Sequence, residues 1–170
     1  MDIKDKIRDV PDFPKKGILF KDITPLLQDP DYFRFVINQL LEQYKDQKID
    51  IVVGTESRGF LFGPILAQKL GVGFAPIRKK GKLPYNKAQL EYDTEYSTDC
   101  IEIHEDAIKK GNSVLVIDDL LATGGTGKAS AELVEKVGGK VTSIAFIIEL
   151  GFLKGREKLK GYDVFSLVTY

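Results

Sequence analysis

Four short runs, residues 49–54 (IDIVVG), 73–77 (GFAPI), 113–118 (SVLVID) and 141–148 (VTSIAFII), constrain the fold more than any other feature of the chain, because they are rich in β-branched residues and almost continuously apolar. A strand with one face in water alternates apolar with polar residues; a run that is apolar on both faces belongs to a sheet covered on both sides. Between the runs, residues 32–44, 60–70 and 127–137 carry apolar side chains at helical spacing. Asp31 is placed to cap the first helix, and Gly71 and Gly138 to stop the other two. Strands and helices in alternation favour right-handed crossovers, so the expected class is α/β, a mainly parallel twisted sheet with helices on both faces.

The 170 residues fit a single domain, and neither an internal repeat nor a low-complexity linker divides them. Two segments break the alternation. Residues 10–30 hold Pro11, Pro14, Pro25 and Pro30 around Ile18, Leu19 and Phe20, which predicts an irregular flap within a hood of roughly residues 1–30. Residues 78–98 are basic, then aromatic and acidic, and a loop of that length in a compact domain reads as a lid or binding arm.

Composition excludes several kinds of chemistry. Lys plus Arg and Asp plus Glu each number 25, a balance that argues against a general nucleic-acid or membrane-surface binder, so any anion must be held locally. No apolar run approaches the ~20 residues needed to cross a bilayer. The first ten residues mix acids and bases and do not read as a secretory signal, so a cytoplasmic location is expected. Cys100 is the sole cysteine, which rules out an internal disulfide and a thiolate metal cluster and reads as a buried thiol. His104 is the sole histidine and reads as an ordinary strand-end residue, not as a metal ligand or triad member.

The chemistry concentrates in residues 114–126 (VLVIDDLLATGGT). A strand runs directly into Asp118 and Asp119, then into a turn ending in Gly124, Gly125 and Thr126, and then into a helix. That order places a nest of backbone N–H groups at a helix N-terminus, where the dipole also favours an anion. The glycines permit close approach, and Thr123 and Thr126 add hydroxyls. The spacing matches neither the nucleotide P-loop nor the dinucleotide fingerprint. A carboxylate pair beside a monophosphate nest suits the vicinal hydroxyls of a ribose, met directly or through Mg²⁺ and water. A second anion site is expected at Glu56, Ser57 and Arg58, between a buried strand and a helix, and the cluster of Arg78, Lys79, Lys80 and Lys82 is placed to neutralise a leaving group. In the flap, Phe20 opposed by Leu120 would hold a flat ring.

Residues 114–126 resemble the phosphoribosyl pyrophosphate motif of the type I phosphoribosyltransferases, and nearly the whole chain is similar to the members of that family that act on adenine. The likeness extends to residues 11–27 (PDFPKKGILFKDITPLL), 52–64 (VVGTESRGFLFGP), 76–84 (PIRKKGKLP) and 153–159 (LKGREKL), in the family's order. The resemblance implies transfer of the 5-phosphoribosyl group from phosphoribosyl pyrophosphate to adenine, giving AMP and pyrophosphate, a purine-salvage reaction in which Mg²⁺ is held mainly by substrate and water near Asp118 and Asp119. Other bases (hypoxanthine, guanine, xanthine) and a non-catalytic phosphoribosyl-binding regulator are the alternatives.

Carried onto this chain, the resemblance gives Ala122, Thr123, Gly124, Gly125 and Thr126 the 5′-phosphate and Asp118 and Asp119 the ribose. Glu56, Ser57, Arg58, Arg78, Lys79 and Lys82 receive the pyrophosphate, with a cis peptide between Glu56 and Ser57 and with Arg78 reaching a neighbouring subunit of a homodimer. Leu19 and Lys21 meet the base edge through their backbone, alongside Phe20 and Leu120. Glu95, on the arm, acts on a ring nitrogen of the base; the family usually continues with glycine where this chain has Ser97. The catalytic set is therefore Glu95, Asp118, Asp119 and Arg58.

Overall fold

The protein is described by a computed structural model that covers residues 1–93 and 98–170. Among these residues the main sheet contains strands β3 (Ile51–Thr55), β4 (Gly73–Lys79), β5 (Lys87–Asp93), β6 (Thr98–His104), β7 (Ser113–Leu121), β8 (Lys140–Glu149) and β9 (Val164–Thr169), in the order β5-β6-β4-β3-β7-β8-β9. Every pair from β4 to β9 is parallel, and β6 joins β4 and β5 antiparallel. The expected α/β class with a mainly parallel sheet is what forms.

The four apolar runs lie inside β3, β4, β7 and β8, and the period-two rule sends their side chains to two separate cores. Val52, Leu115, Ile117, Ala145 and Ile147 pack under helices α2 (Pro30–Tyr44) and α3 (Gly63–Leu70). Ile51, Val53, Val114, Val116, Ile144 and Phe146 pack under α4 (Gly125–Lys136). Each fully buried aliphatic side chain contributes roughly 1.5–3 kcal/mol relative to exposure, and strands loaded on both faces have no stable arrangement outside such a sandwich.

Helix boundaries depart from the sequence reading where proline sits. The cap of α2 is Asp29, not Asp31: its carboxylate accepts from the amides of Asp31 (3.1 Å) and Tyr32 (3.2 Å). Pro30 then occupies the first helical position, where no N–H is needed. The expected helix over 60–70 is broken into a 3-10 turn, Arg58–Leu61, and α3, with Pro64 starting the latter for the same reason. Gly71, at φ +71°, ends α3 as expected.

Both irregular segments are more ordered than expected. In the flap, β1 (Arg8–Pro11) pairs antiparallel with β2 (Leu19–Asp22), and a short helix α1 (Thr24–Gln28) follows. Within the arm, β5 and β6 pair antiparallel in register from Lys87↔His104 to Asp93↔Thr98, and β6 joins the main sheet through Arg78↔Glu102 and Lys79↔Ile101. Ala88, Leu90 and Tyr92 alternate with polar residues and pack against the α4-side core, a half-buried strand pattern masked in the sequence by the charges around it. Cys100 is buried in β6, and His104, at its end, bonds the Pro84 carbonyl through Nε2 at 2.7 Å.

Candidate active site

Strands β3 and β7 are neighbours in register (Gly54↔Ile117), so the loops that leave their carboxyl ends open onto one crevice. The cavity there measures about 370 Å³. One wall is Thr55, Glu56, Ser57 and Arg58; the floor and opposite wall run from Asp118 to Gly127; Lys79, Tyr92, Asp99, Ile101 and Phe146 complete the lining.

Glycines set how closely these walls approach. A Cβ on Gly59 would stand 2.7 Å from the Ile117 carbonyl oxygen, so only glycine lets the loop after β3 lie on the end of β7. The next residue back, Arg58, thereby reaches across, and its Nε donates to Oδ2 of Asp119, which is 5% exposed. Asp118 accepts the Asp119 amide at 2.9 Å. Burial, and after it the negative charge of Asp119, push the Asp118 carboxyl well above the usual carboxylate range, with Arg58 opposing.

Beyond the acids, Gly124 takes φ +82° and forms the N-cap of α4 without any side-chain hydrogen bond to the helix. The cap residue itself therefore satisfies none of the first N–H groups of this 12-residue helix, which are receptive to an anion. Ala122, Thr123, Gly124, Gly125 and Thr126 all line the cavity at this point. Tyr92 of β5 closes over them, its hydroxyl 3.2 Å from Oγ1 of Thr126. Burial raises the Tyr92 hydroxyl, and the Thr126 contact works against that.

The loop after β3 has a different character. The Glu56–Ser57 peptide is cis. The Glu56 carboxylate turns to the basic cluster, accepting from Arg78 Nε (2.9 Å), the Lys79 amide (2.9 Å) and Lys82 Nζ (2.5 Å). Burial alone would raise its pKa, but Lys82, the Lys79 amide and Arg78 together bring it down to about 2. Of the residues expected at the second anion site, Glu56, Ser57, Arg58 and Lys79 line the cavity, whereas Arg78 and Lys82 do not and are held by Glu56.

The expected base-pocket residues are only partly assembled. Leu120 lines the cavity, but Leu19, Phe20 and Lys21 lie on β2 beside it. Leu19 is 46% exposed. Phe20 meets Phe13 edge-on at 5.1 Å, and its ring centroid lies 5.2 Å from the Arg58 guanidinium carbon. Lys21 is buried, with Nζ 2.6 Å from Asp9 and 3.6 Å from the centroid of the Tyr170 ring. Glu95 lies outside the described residues. Sequence reasoning missed Tyr92, Asp99 and Ile101, and the alternation of Ala88, Leu90 and Tyr92 was the signal that could have found the strand bringing the first of them here.

An open α/β sheet whose adjacent strands β3 and β7 end in loops that share one cavity, with paired acids on its floor, is the arrangement to be compared with known proteins. The profile of the phosphoribosyl transferase domain matches residues 27–168. The adenine phosphoribosyltransferase of Clostridium perfringens is 59% identical over 170 residues, 100% of this chain and 99% of that protein. The crystal structure of adenine phosphoribosyltransferase from Thermoanaerobacter pseudethanolicus has a TM-score of 0.96 at 55% identity, covering 99% of this chain and 98% of that one. The Saccharomyces cerevisiae adenine phosphoribosyltransferase, solved with an imino-altritol bisphosphate and adenine, has a TM-score of 0.92 at 45% identity, covering 98% and 96%. The chain belongs to the phosphoribosyltransferase family.

Proposed function

We propose that the protein transfers the 5-phosphoribosyl group of phosphoribosyl pyrophosphate to adenine, forming AMP and pyrophosphate. The observation that carries this reading is the cavity lined by Asp118, Asp119 and the glycine-capped N-terminus of α4, within a chain whose full length matches relatives named for that activity. The amides and hydroxyls of Ala122–Thr126 hold the 5′-phosphate, and the two acids orient the ribose hydroxyls. Ser57, Arg58 and Lys79 face the leaving pyrophosphate, and the cluster at Arg78 and Lys82 becomes available to it when Glu56 gives way. The base stacks between Leu120 and the Phe20 side of the hood, where the backbone of Leu19 and Lys21 reads its edge, and Glu95 holds a proton at a ring nitrogen.

Bond breaking leaves a positively charged, oxocarbenium-like sugar, so the chain's part is orientation, charge neutralisation and exclusion of water. Among the described residues, no three acidic, cysteine or histidine side chains converge to hold a metal. We read Mg²⁺ as held chiefly by substrate oxygens and water, with the Asp118 and Asp119 pair on the cavity floor beside it. Bound there, Mg²⁺ would neutralise charge on the departing diphosphate. We read the active form as a homodimer in which the part-exposed Arg78 reaches a neighbouring subunit. None of the described helices is long and apolar enough to cross a membrane.

Incubation with phosphoribosyl pyrophosphate, Mg²⁺ and each of adenine, hypoxanthine, guanine and xanthine tests the assignment. AMP should form from adenine far faster than any other nucleotide forms; turnover of a 6-oxo purine in preference to adenine, or of no base at all, would overturn it. Sedimentation of an active monomer would remove the dimer.

A further inference from the structure

Residues 153–159 belong to the family likeness, yet none of them lines the cavity. They stand directly behind the phosphate loop. A Cβ on Gly124 would collide with the backbone of Gly155, and a Cβ on Gly155 would collide with the Ala122 carbonyl oxygen and come within 3.1 Å of the Gly124 amide nitrogen. The two backbones are therefore in van der Waals contact, and wherever Gly155 stands fixes the rear limit of residues 122–124.

What holds Gly155 is mainly polar. Its segment consists of two short 3-10 turns, Gly151–Leu153 and Gly155–Leu159, in which Phe152 is 70% exposed and Leu153 39% exposed; among their large side chains Leu159 is the one that is buried. Short 3-10 turns have little stability of their own. The neighbour of Gly155, Arg156, spreads its guanidinium across the sheet edge. Nε donates to both carboxylate oxygens of Glu149 at 2.8 and 3.0 Å, Nη2 to Oε2 of Glu149 at 2.8 Å, and Nη1 to the Val164 carbonyl at 2.8 Å. Nη2 also reaches Ser166 Oγ at 3.4 Å.

Glu149 is itself tied to the start of the phosphate loop. It ends β8 in register with Leu121, the last residue of β7, and the Leu150 amide donates to the Leu121 carbonyl at 2.9 Å. The fork thus ties the segment that backs the phosphate loop to the end of β8, the strand paired with the one that launches that loop.

We propose that the Glu149–Arg156 pair is a positioning device that holds Gly155 against Gly124 and keeps the phosphate loop preformed for its ligand. The proposal rests on the reading that residues 122–126 hold the sugar's 5′-phosphate. The planar fork matters because its separate nitrogens reach Glu149 and the Val164 carbonyl in fixed directions, a geometry that a single ammonium nitrogen does not reproduce. A loosened wall weakens binding of the phosphate in ground and transition states alike, which raises KM and leaves kcat in place.

In Arg156→Lys, KM for phosphoribosyl pyrophosphate should rise about tenfold while kcat and the KM for adenine stay within about twofold. Glu149→Gln, which keeps the shape and one carbonyl acceptor, should give a smaller rise of the same selectivity. If Arg156→Lys folds poorly, Glu149→Gln alone carries the test. Unchanged KM for phosphoribosyl pyrophosphate in both variants overturns the proposal. So does a parallel loss in both substrates and kcat that tracks a drop in Tm, because that is what a purely structural ion pair would give. Calorimetry with ribose 5-phosphate separates this proposal from the reading beneath it. A wild-type protein that makes no AMP refutes the reading, whereas ribose 5-phosphate affinity that falls about tenfold in Arg156→Lys still supports the clamp, and equal affinity refutes it.

Discussion

The loops after β3 and β7 leave adjacent strands at the same end of the sheet, yet they prepare for an anion in opposite ways. The loop after β7 carries no charged side chain from Ala122 to Thr126, and Gly124 caps α4 without a side-chain hydrogen bond. The loop after β3 carries its own anion, Glu56, already engaged by Arg78, Lys82 and the Lys79 amide. The first is built from backbone and is ready as it stands. The second is built from flexible side chains that must exchange partners, so it suits the group that has to depart. A bound group held by preformed dipoles needs no reorganisation, whereas a leaving group is helped by cations released to it at the moment of need.

The contrast can be broken most severely at the acids. Asp119→Asn removes the charge that fixes Arg58, and kcat/KM should fall by roughly a thousandfold with little loss of folding, as steady-state kinetics beside thermal melts will show. Gly124→Ala attacks the open cap. The added Cβ meets Gly155 at a positive φ, so KM for phosphoribosyl pyrophosphate should rise about tenfold or more and stability should drop by about 1–3 kcal/mol, read from denaturant unfolding.

The electrostatic signs of the two loops are also opposite, and pH separates them. The Glu56 pKa lies near 2 against an ordinary 4.5, so its contribution to stability is complete above 4.5 and is lost as pH falls towards 2. The Asp118 pKa is raised, so its contribution is complete in acid, below its unfolded value, and is lost as pH rises through the folded one. Melting curves across pH should therefore show Asp118→Asn stabilised by roughly 1 kcal/mol at neutral pH, though inactive, and Glu56→Gln destabilised there with a flattened acid limb. Glu56→Gln should also bind inorganic pyrophosphate a few-fold more tightly, since Arg78 and Lys82 no longer have a resident carboxylate to leave. The mildest change is Tyr92→Phe, which deletes one hydrogen bond to Thr126 and should raise KM for phosphoribosyl pyrophosphate about two- to threefold.

The same contrast explains what could be read in advance. The loop after β7 was legible as a candidate anion cradle because such a cradle is made of backbone, and backbone geometry is announced by glycine spacing after a strand. The loop after β3 was legible as an anion site, but nothing in the spacing of Glu56, Arg78 and Lys82 says that the carboxylate would hold the two cations, 22 and 26 residues away in sequence. The strands within the arm are hard to see in the sequence because charged residues surround the alternation of Ala88, Leu90 and Tyr92. The α2 cap falls on Asp29 and not Asp31 because a proline is well suited to begin a helix.

By itself the sequence determined the sheet, its two-sided burial and the order of acids, glycines and helix at residues 118–126, because each rests on local periodicity or on a backbone conformation that few residues adopt. Tertiary structure alone decided that β5 would bring Tyr92 over Thr126, that Glu56 would occupy the basic cluster, and that Gly155 would back the phosphate loop. Those contacts join segments tens of residues apart, and their geometry follows from the register of neighbouring strands, which no local pattern encodes.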